Sequence, residues 1–228
     1  GTVLRVDLAD FFSTITFPRV RGLFSSLGYN SGVSSVLALL STDSDRREII
    51  YESEKWFVSQ GPRKLPQGAS TSPALSNLIA RNLDRRIKGY LNYLEDEWVY
   101  TRYADDLVLS HPEKSVDVGR LLTYLGRVIH DEGFKVNHKK TVIMRAPHRQ
   151  MITGLVLNEN GPRVPKKYLK LVRAMLHNAD KIISNGDNPQ NLDEIKGKIS
   201  FIKMVMPDFA KKTFKKYPWL KSSNRNVS

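Results

Sequence analysis

The stretch "YTRYADDLVLS", residues 100–110, sets two adjacent aspartates, Asp105 and Asp106, against the apolar run Leu107–Val108–Leu109. Like charges side by side repel, and aspartate is a poor strand former. One reading is a tight hairpin with an acidic turn, flanked by strands at Tyr100–Tyr103 and Leu107–Ser110. The other is a turn that holds a divalent cation, because hard cations such as Mg²⁺ take carboxylate oxygens and offset their repulsion. The two readings are compatible, and a third carboxylate is needed to favour the second. Asp7 is the candidate: it closes the apolar strand Val3–Val6 and is followed by Asp10-Phe11-Phe12. Taken alone, such an aspartate reads equally well as a strand cap.

Composition narrows the partner. The chain has 228 residues, 40% of them hydrophobic, enough for one sizeable core with a smaller attached domain. No apolar run reaches membrane-spanning length, and no signal peptide is visible. With 0 cysteines there can be no disulfide or thiolate metal site, which fits a reducing cytoplasm. The net charge is +13 and unevenly placed: residues 161–228 hold 15 Lys and Arg against 5 Asp and Glu. That excess suggests a polyanion, most simply nucleic acid, although a solvated helix face also collects lysines.

Periodicity and punctuation give a mixed order of elements. Val3–Leu8 reads as a strand, and Pro18 opens a helix through Leu27, closed by Gly28. Residues 33–41 continue helically, "EIIYESEKWFVSQ" reads as a hairpin with Glu52–Glu54 near its turn, and Gly61 to Gly68 reads as loop. Leu75, Leu78, Ile79, Leu83 and Ile87 recur at helical spacing, predicting one helix from Ser72 to about Lys88. Val116–Gly133 is an amphipathic helix; "FKVN", "TVIM" and "ITGLVLN" are short strands. Pro165 begins a helix to about Ile183, and residues 192–206 and 208–216 read as further helices after the linker "NGDNPQN". The class is α+β followed by an α-helical C-terminal part. Because Gly1–Thr2 runs straight into a buried strand, the chain reads as a fragment, a trimmed chain or one half of a split protein.

A strand-borne aspartate, a Gly-rich loop, a helix and an Asp-Asp hairpin occur here in the order of a polymerase palm. "VDLADFF", "LPQGASTSPALSN", "YADD", "GFKVNHKKT" and "ITGLVLN" follow the order of the reverse transcriptase blocks, over about residues 3–170. The sequence most resembles the bacterial retron reverse transcriptases, through "FFSTITFPRVRGLFSSLGY", "LPQGASTSPALSNLIARNLDRRI" and "YTRYADD". "ITGLVLN" is similar to that group's Val-Thr-Gly block, with Ile152 in place of Val, while the group's Asn-Ala-x-x-His has no match. The resemblance implies a right-hand polymerase fold: a palm over residues 1–150 with part of the fingers inserted at about 29–66, a primer-grip hairpin at 151–164, and a basic helical thumb at 165–228. The N-terminal fingers are expected from a missing segment or a second chain.

Carried over by position, Asp7, Asp105 and Asp106 resemble the metal-binding triad, and Leu8 would add a backbone carbonyl. Two Mg²⁺ ions, for which Mn²⁺ can substitute, would lie roughly 3.5–4 Å apart. Phe12 falls where these enzymes place the side chain that excludes a ribose 2′-OH; of Phe11 and Phe12, at least one must be core. Ala104 is small beside the primer end and incoming sugar. Gln67 and Gly68 resemble the loop against the incoming nucleotide, although "PQGAS" also reads as a helix leader with Ser70 or Ser72 as N-cap. Lys140, or its neighbour Lys139, resembles the acid that protonates the leaving pyrophosphate; a solvated lysine is the plain alternative. Tyr103, Thr153 and Gly154 would meet primer and template, as would Lys166, Lys170, Lys211 and Lys215 on the thumb.

The resemblance implies a cytoplasmic bacterial RNA-directed DNA polymerase, a nucleotidyltransferase using deoxynucleoside triphosphates. It would copy a structured noncoding RNA into an RNA–DNA product, with an accessory effector protein in antiphage defence. An intron-, diversity-element- or CRISPR-associated reverse transcriptase is the nearest alternative. A non-catalytic RNA-binding palm is the more distant one.

Overall fold

The computed structural model describes residues 1–158 and 161–221. They fall into two compact units, Gly1–Ala146 and Pro147–Ser228. The first unit begins with strand β1 (Thr2–Ala9), whose β-branched and leucine residues alternate about the strand axis. A 3₁₀ turn (Phe12–Thr14) leads to helices α1 (Phe17–Ser26) and α2 (Ser31–Ser41). Pro18 stands in the first turn of α1, and Gly28 takes φ 96° just past its end, as the sequence predicts. Helix α2 starts two residues before the expected position, because the Asn30 side chain accepts a hydrogen bond from the Val33 N–H at 2.9 Å.

A long ribbon follows, β2 (Asp43–Tyr51) against β3 (Glu54–Lys64), turning at Glu52 and Ser53, both with positive φ. Strand β3 thus runs through Gly61–Lys64, read from the sequence as loop. Pro62 is tolerated there because the pairing slips between Asp43 and Asp45, opposite Gly61–Arg63. The helix expected from Ser72 to Lys88 is two helices, α3 (Ser72–Ile79) and α4 (Arg81–Tyr93). The break is one residue, Ala80, which relaxes to ψ 0° while its backbone still bonds Ser76 and Asp84. No Gly or Pro marks it, so the apolar period reads straight through.

Strands β4 (Val99–Tyr103) and β5 (Asp106–His111), helix α5 (Gly119–Asp131) and strands β6 (Lys135–Val136) and β7 (Val142–Arg145) complete the unit. β1 lies at the centre of an antiparallel sheet, with β5 on one side and both β6 and β7 along the other; β4 is outside β5. Leu4, Val6 and Leu8 of β1 join Leu107 and Leu109 of β5 in one core with Leu83, Ile87 and Leu91 of α4 and Leu121, Leu125 and Ile129 of α5. Each such burial contributes roughly 1.5–3 kcal/mol. Strand alternation therefore places Arg5, Asp7, Asp106 and Val108 on the other face of the sheet.

The second unit contains a small hairpin, β8 (Met151–Ile152) and β9 (Leu155–Val156), then helices α6 (Lys166–Ser184), α7 (Leu192–Val205) and α8 (Pro207–Lys216). The hairpin turns at Thr153 and Gly154, both with positive φ, the geometry a two-residue loop requires. Val172, Leu176, Ile195, Ile199 and Ile202 form a separate core. The hairpin expected to stand between palm and thumb thus belongs to the helical unit.

Candidate active site

Asp7 and Asp106 are direct partners across the β1–β5 ladder, so their side chains leave the same face of the sheet. Both are buried, 4% and 6% exposed. Burying two carboxylates together is costly unless each finds a counter-charge. Arg5, two residues before Asp7 on the same face, donates from Nε to Asp106 Oδ1 at 2.7 Å. That hydrogen bond is the main reason the Arg5 guanidinium titrates above its ordinary value. Lys140 Nζ stands 3.4 Å from Asp7 Oδ2. Asn137 grips Asp7 twice, through its side-chain amide to Oδ1 at 2.9 Å and its backbone N–H to the Asp7 carbonyl at 2.8 Å.

Asp105 occupies the turn between β4 and β5, and its carbonyl accepts the Leu8 N–H at 2.8 Å. The acidic turn is thereby tied to the end of β1. The three aspartates expected to act together are thus arranged as a facing pair with the third beside it. Among the described residues, no three carboxylate or imidazole side chains are gathered tightly enough to hold a metal ion. The donors are nonetheless all hard oxygens, with the Asp7 and Asp106 carboxylates opposed on one sheet face, a chemistry that fits a hard divalent cation once it displaces the Arg5 and Lys140 contacts. Leu8 is 1% exposed and its side chain is core, so only its backbone can serve the site.

The turn itself is strained and braced. Ala104 takes φ 51°, a conformation that L-residues adopt only at some cost. Arg102 holds it: Nη1 donates to the Ala104 carbonyl at 3.0 Å, while Nε and Nη2 make a two-pronged contact with Asp84 of α4, each at 2.8 Å. The Tyr100 hydroxyl donates to the same carboxylate at 2.7 Å. Burial pushes the Asp84 carboxyl up, but hydrogen bonds from Arg102 and Tyr100 outweigh it and hold it below the usual range. Burial, then the bond to Asp84, drives the Tyr100 phenol well above its ordinary value.

The aromatic pair divides its roles. Phe11 is 3% exposed and stacks on Phe134 with ring centres 5.4 Å apart. It is the core residue, which corrects its expected place in a nucleotide site. Phe12 is partly exposed in the 3₁₀ turn and meets Phe11 edge-on at 5.3 Å. The loop bearing Gln67 and Gly68 is fastened three residues beyond Phe12, by the Leu65 N–H to the Ile15 carbonyl at 3.0 Å. Gln67 and Gly68 are exposed, and Gly68 takes φ 91°. Neither Ser70 nor Ser72 caps the helix: Thr71 stands at the cap, and buried Ser72 donates to the Pro66 carbonyl at 2.7 Å. Tyr103 is 76% exposed at the end of β4.

Thr153, Gly154, Lys166, Lys170, Lys211 and Lys215 all lie in the second unit and are exposed. Lys166 and Lys170 line one groove, and Lys212 and Lys216 line an adjoining one that shares Arg173 and Phe209 with it; Lys211 and Lys215 line neither. The sequence reading missed Arg5, Asn137, Arg102 and Asp84 as site residues. Arg5 alone carried a signal, a charge at an alternate position of an otherwise apolar strand.

The model of the family described as reverse transcriptase (RNA-dependent DNA polymerase) matches residues 2–182. The chain belongs to the reverse transcriptase family. It is 38% identical over 219 residues to the retron Mx162 reverse transcriptase of Myxococcus xanthus, covering 90% of this chain and 44% of that protein. To the retron Ec86 reverse transcriptase of Escherichia coli it is 35% identical over 203 residues, covering 89% and 55%. This reverse transcriptase chain thus spans about half the length of these curated relatives. Apo telomerase from Candida tropicalis superposes with a TM-score of 0.58 at 12% identity, over 98% of this chain and 44% of that one. Telomerase from Candida albicans gives 0.54 at 12% identity, over 96% and 41%. At that identity the likeness concerns fold, and it identifies an α+β polymerase palm followed by a helical thumb. No described helix is long and apolar enough to cross a membrane.

Proposed function

We propose that these residues are the palm and thumb of a retron-type RNA-directed DNA polymerase, one that makes DNA on a dedicated structured RNA in the bacterial cytoplasm. The observation that carries the reading is the buried Asp7–Asp106 pair on one sheet face, with Lys140 beside it and Asp105 in the adjoining turn. Asp7, Asp106 and Asp105 would hold two divalent ions, Mg²⁺ in the cell, with the Leu8 carbonyl adding an oxygen. When bound, the ions favour loss of the proton from the attacking 3′-hydroxyl and neutralise charge on the triphosphate.

The chain's own groups do the rest. Arg102 keeps the acidic turn in its strained shape, so the carboxylates need no rearrangement as charge develops. Lys140, an exposed ammonium within reach of Asp7, gives a proton or its charge to the leaving pyrophosphate. Phe12 closes the space a ribose 2′-oxygen would need, Ala104 leaves room for the primer end, and Gln67 and Gly68 border the nucleotide. Thr153 and Gly154 grip the primer backbone. We extend the proposal to a branched RNA–DNA product and an effector protein acting with it in antiphage defence. The test is to isolate the protein with its native flanking sequence, sequence the RNA that accompanies it, and supply deoxynucleotides and Mg²⁺. The reading requires one dominant noncoding RNA and DNA covalently joined to it. Synthesis on any RNA with no preferred partner would favour another class of reverse transcriptase, and no synthesis would refute the enzyme.

A further inference from the structure

Arg19, on the first turn of α1, is half-buried and in no ion pair among the described residues; the nearby Glu132 carboxylate is paired with Arg86 at 3.0 Å. Burial holds the Arg19 guanidinium below its ordinary value, and the Glu132 charge offsets only part of that. A cation so placed needs other partners. Nη1 donates to the Thr14 carbonyl at 3.2 Å and to the Gly133 carbonyl at 3.3 Å, and Nη2 to the Glu132 carbonyl at 2.8 Å. The last two carbonyls stand at the C-terminal end of α5, where the helix dipole favours a cation. The guanidinium also lies over the Phe134 ring, 4.5 Å from its centre. Gly133 takes φ 74°, and a Cβ there would stand 3.4 Å from Arg19 Nη1, so a side chain at this position would crowd the contact.

The two ends of this clamp belong to different parts of the site. Thr14 closes the 3₁₀ turn that carries Phe12: its N–H donates to the Asp10 carbonyl at 2.9 Å and its hydroxyl to the Phe11 carbonyl at 2.7 Å. Asp10, at the head of that turn, takes φ 51°, a conformation that persists only where its surroundings enforce it. At the other end, Phe134 leads into β6, which pairs with Leu8 and Ala9 and is followed by Asn137, the partner of Asp7. A column of faces runs between them: the guanidinium over Phe134, Phe134 stacked on Phe11, and Phe11 edge-on to Phe12. Phe12 itself is only partly buried, so core packing alone does not fix its ring. We propose that Arg19 is a positioning residue for sugar selection: by joining the Phe12 turn to the α5–β6 turn, it fixes the Phe12 ring against the strand that carries Asp7. The proposal rests on the reading of Phe12 as the residue that closes the space of a ribose 2′-oxygen. Excluding one oxygen atom leaves little tolerance, since misplacement by about 1 Å is enough to change a rate by about 100-fold.

The test is steady-state primer extension with Mg²⁺ by the protein with its native flanking sequence, reading kcat/KM for dGTP over that for GTP. Arg19→Met keeps an apolar side chain against Phe134 and removes all three hydrogen bonds. It is expected to lower the ratio roughly 5- to 50-fold, part of what Phe12→Val does, mainly through a gain for GTP. Arg19→Lys keeps a cation over the ring, but its ammonium lacks the planar fork that spans three carbonyls. It should lower the ratio about 2- to 10-fold, the worth of one hydrogen bond, and it gives the reading should Arg19→Met fail to fold. Arg21→Met, on the exposed side of the same helix, removes only a hydrogen bond to Ser31 and should leave the ratio unchanged. Adding Arg19→Met to Phe12→Val should shift the ratio no further, because the ring that Arg19 positions is gone. A side chain that merely supports the fold would lower dGTP and GTP use together and leave the ratio as it was. An unchanged ratio in folded Arg19→Met, or in Arg19→Lys where Arg19→Met does not fold, would overturn the inference and leave Phe12 in its role. So would an equal shift by Arg21→Met, or a full further shift on the Phe12→Val background. An unchanged ratio in Phe12→Val, or no synthesis by the wild type, would overturn the underlying reading and this inference with it.

Discussion

Replacing Arg102 by methionine should both destabilise the palm and misplace its acidic turn, and the two effects can be separated. The Arg102 side chain is 6% exposed and its partner Asp84 26%. Removing one member of a buried ion pair costs about 3–5 kcal/mol, because the other charge is left without its partner. Asp84 keeps the Tyr100 hydroxyl and some contact with water, so the lower end, about 3 kcal/mol, is expected. For a chain of this size that is a fall in Tm of about 6–12 °C. Adding Asp84→Leu replaces the pair by apolar groups and should recover part of the loss, less about 1 kcal/mol for the Tyr100 hydroxyl left without its acceptor. DNA synthesis should not recover with it, because the Ala104 carbonyl still lacks the Arg102 donor. The assay is thermal melting beside primer extension for the single and double variants. An unchanged Tm for Arg102→Met would refute the energetic argument. Full recovery of synthesis in the double variant would refute the brace.

Phe12→Val should raise use of GTP relative to dGTP by roughly 10- to 200-fold in kcat/KM, and an unchanged ratio would make Phe12 a packing residue only. Gly68 and Gly22 should respond to alanine with opposite signs, although a Cβ at either meets nothing within 4 Å. At Gly68, φ 91° makes the substitution cost about 1 kcal/mol, whereas at Gly22, inside α1, it should add about 0.5–1 kcal/mol; melting curves decide both. The depressed Asp84 carboxyl binds its proton more weakly in the folded chain than in the unfolded one. Its contribution is therefore complete above about pH 4 and is lost as pH falls through the lower folded value, so wild type should lose Tm more steeply than Asp84→Asn on acidification below about pH 4.

Much of the palm was legible because its signals are local. The period-two run Val3–Leu8, the Asp105–Asp106 turn and the stripes Leu83–Ile87 and Leu121–Leu125 each declare an element within a few residues. The facing of Asp7 and Asp106 followed only from the resemblance, since strand pairing is not written in either strand alone. The brace escaped because Arg102, Asp84 and Tyr100 meet through the fold and not through any motif; likewise Asn137 and Asp7, 130 residues apart. On α8, spacing put several of Lys211, Lys212, Lys215 and Lys216 on a shared face; it could not say that Lys212 and Lys216 are the ones bordering α6. Phe11 and Phe12 posed the same problem at shorter range, since adjacent aromatic residues cannot both be core and gate.

The carboxylate pair is the centre of the account, and DNA synthesis by folded variants lacking one charge tests it most directly. Asp7→Asn, Asp106→Asn and Asp105→Asn keep side-chain shape and remove one anionic oxygen donor each. Metal-borne charge stabilisation is worth several kcal/mol, so Asp7→Asn and Asp106→Asn should each lower the rate of primer extension with Mg²⁺ by about a thousandfold or more. Asp105→Asn should do the same if the turn completes the metal site. Circular dichroism and melting should show each variant folded. Near-wild-type extension by folded Asp7→Asn or Asp106→Asn would contradict the assignment of this sheet face as the site of catalysis.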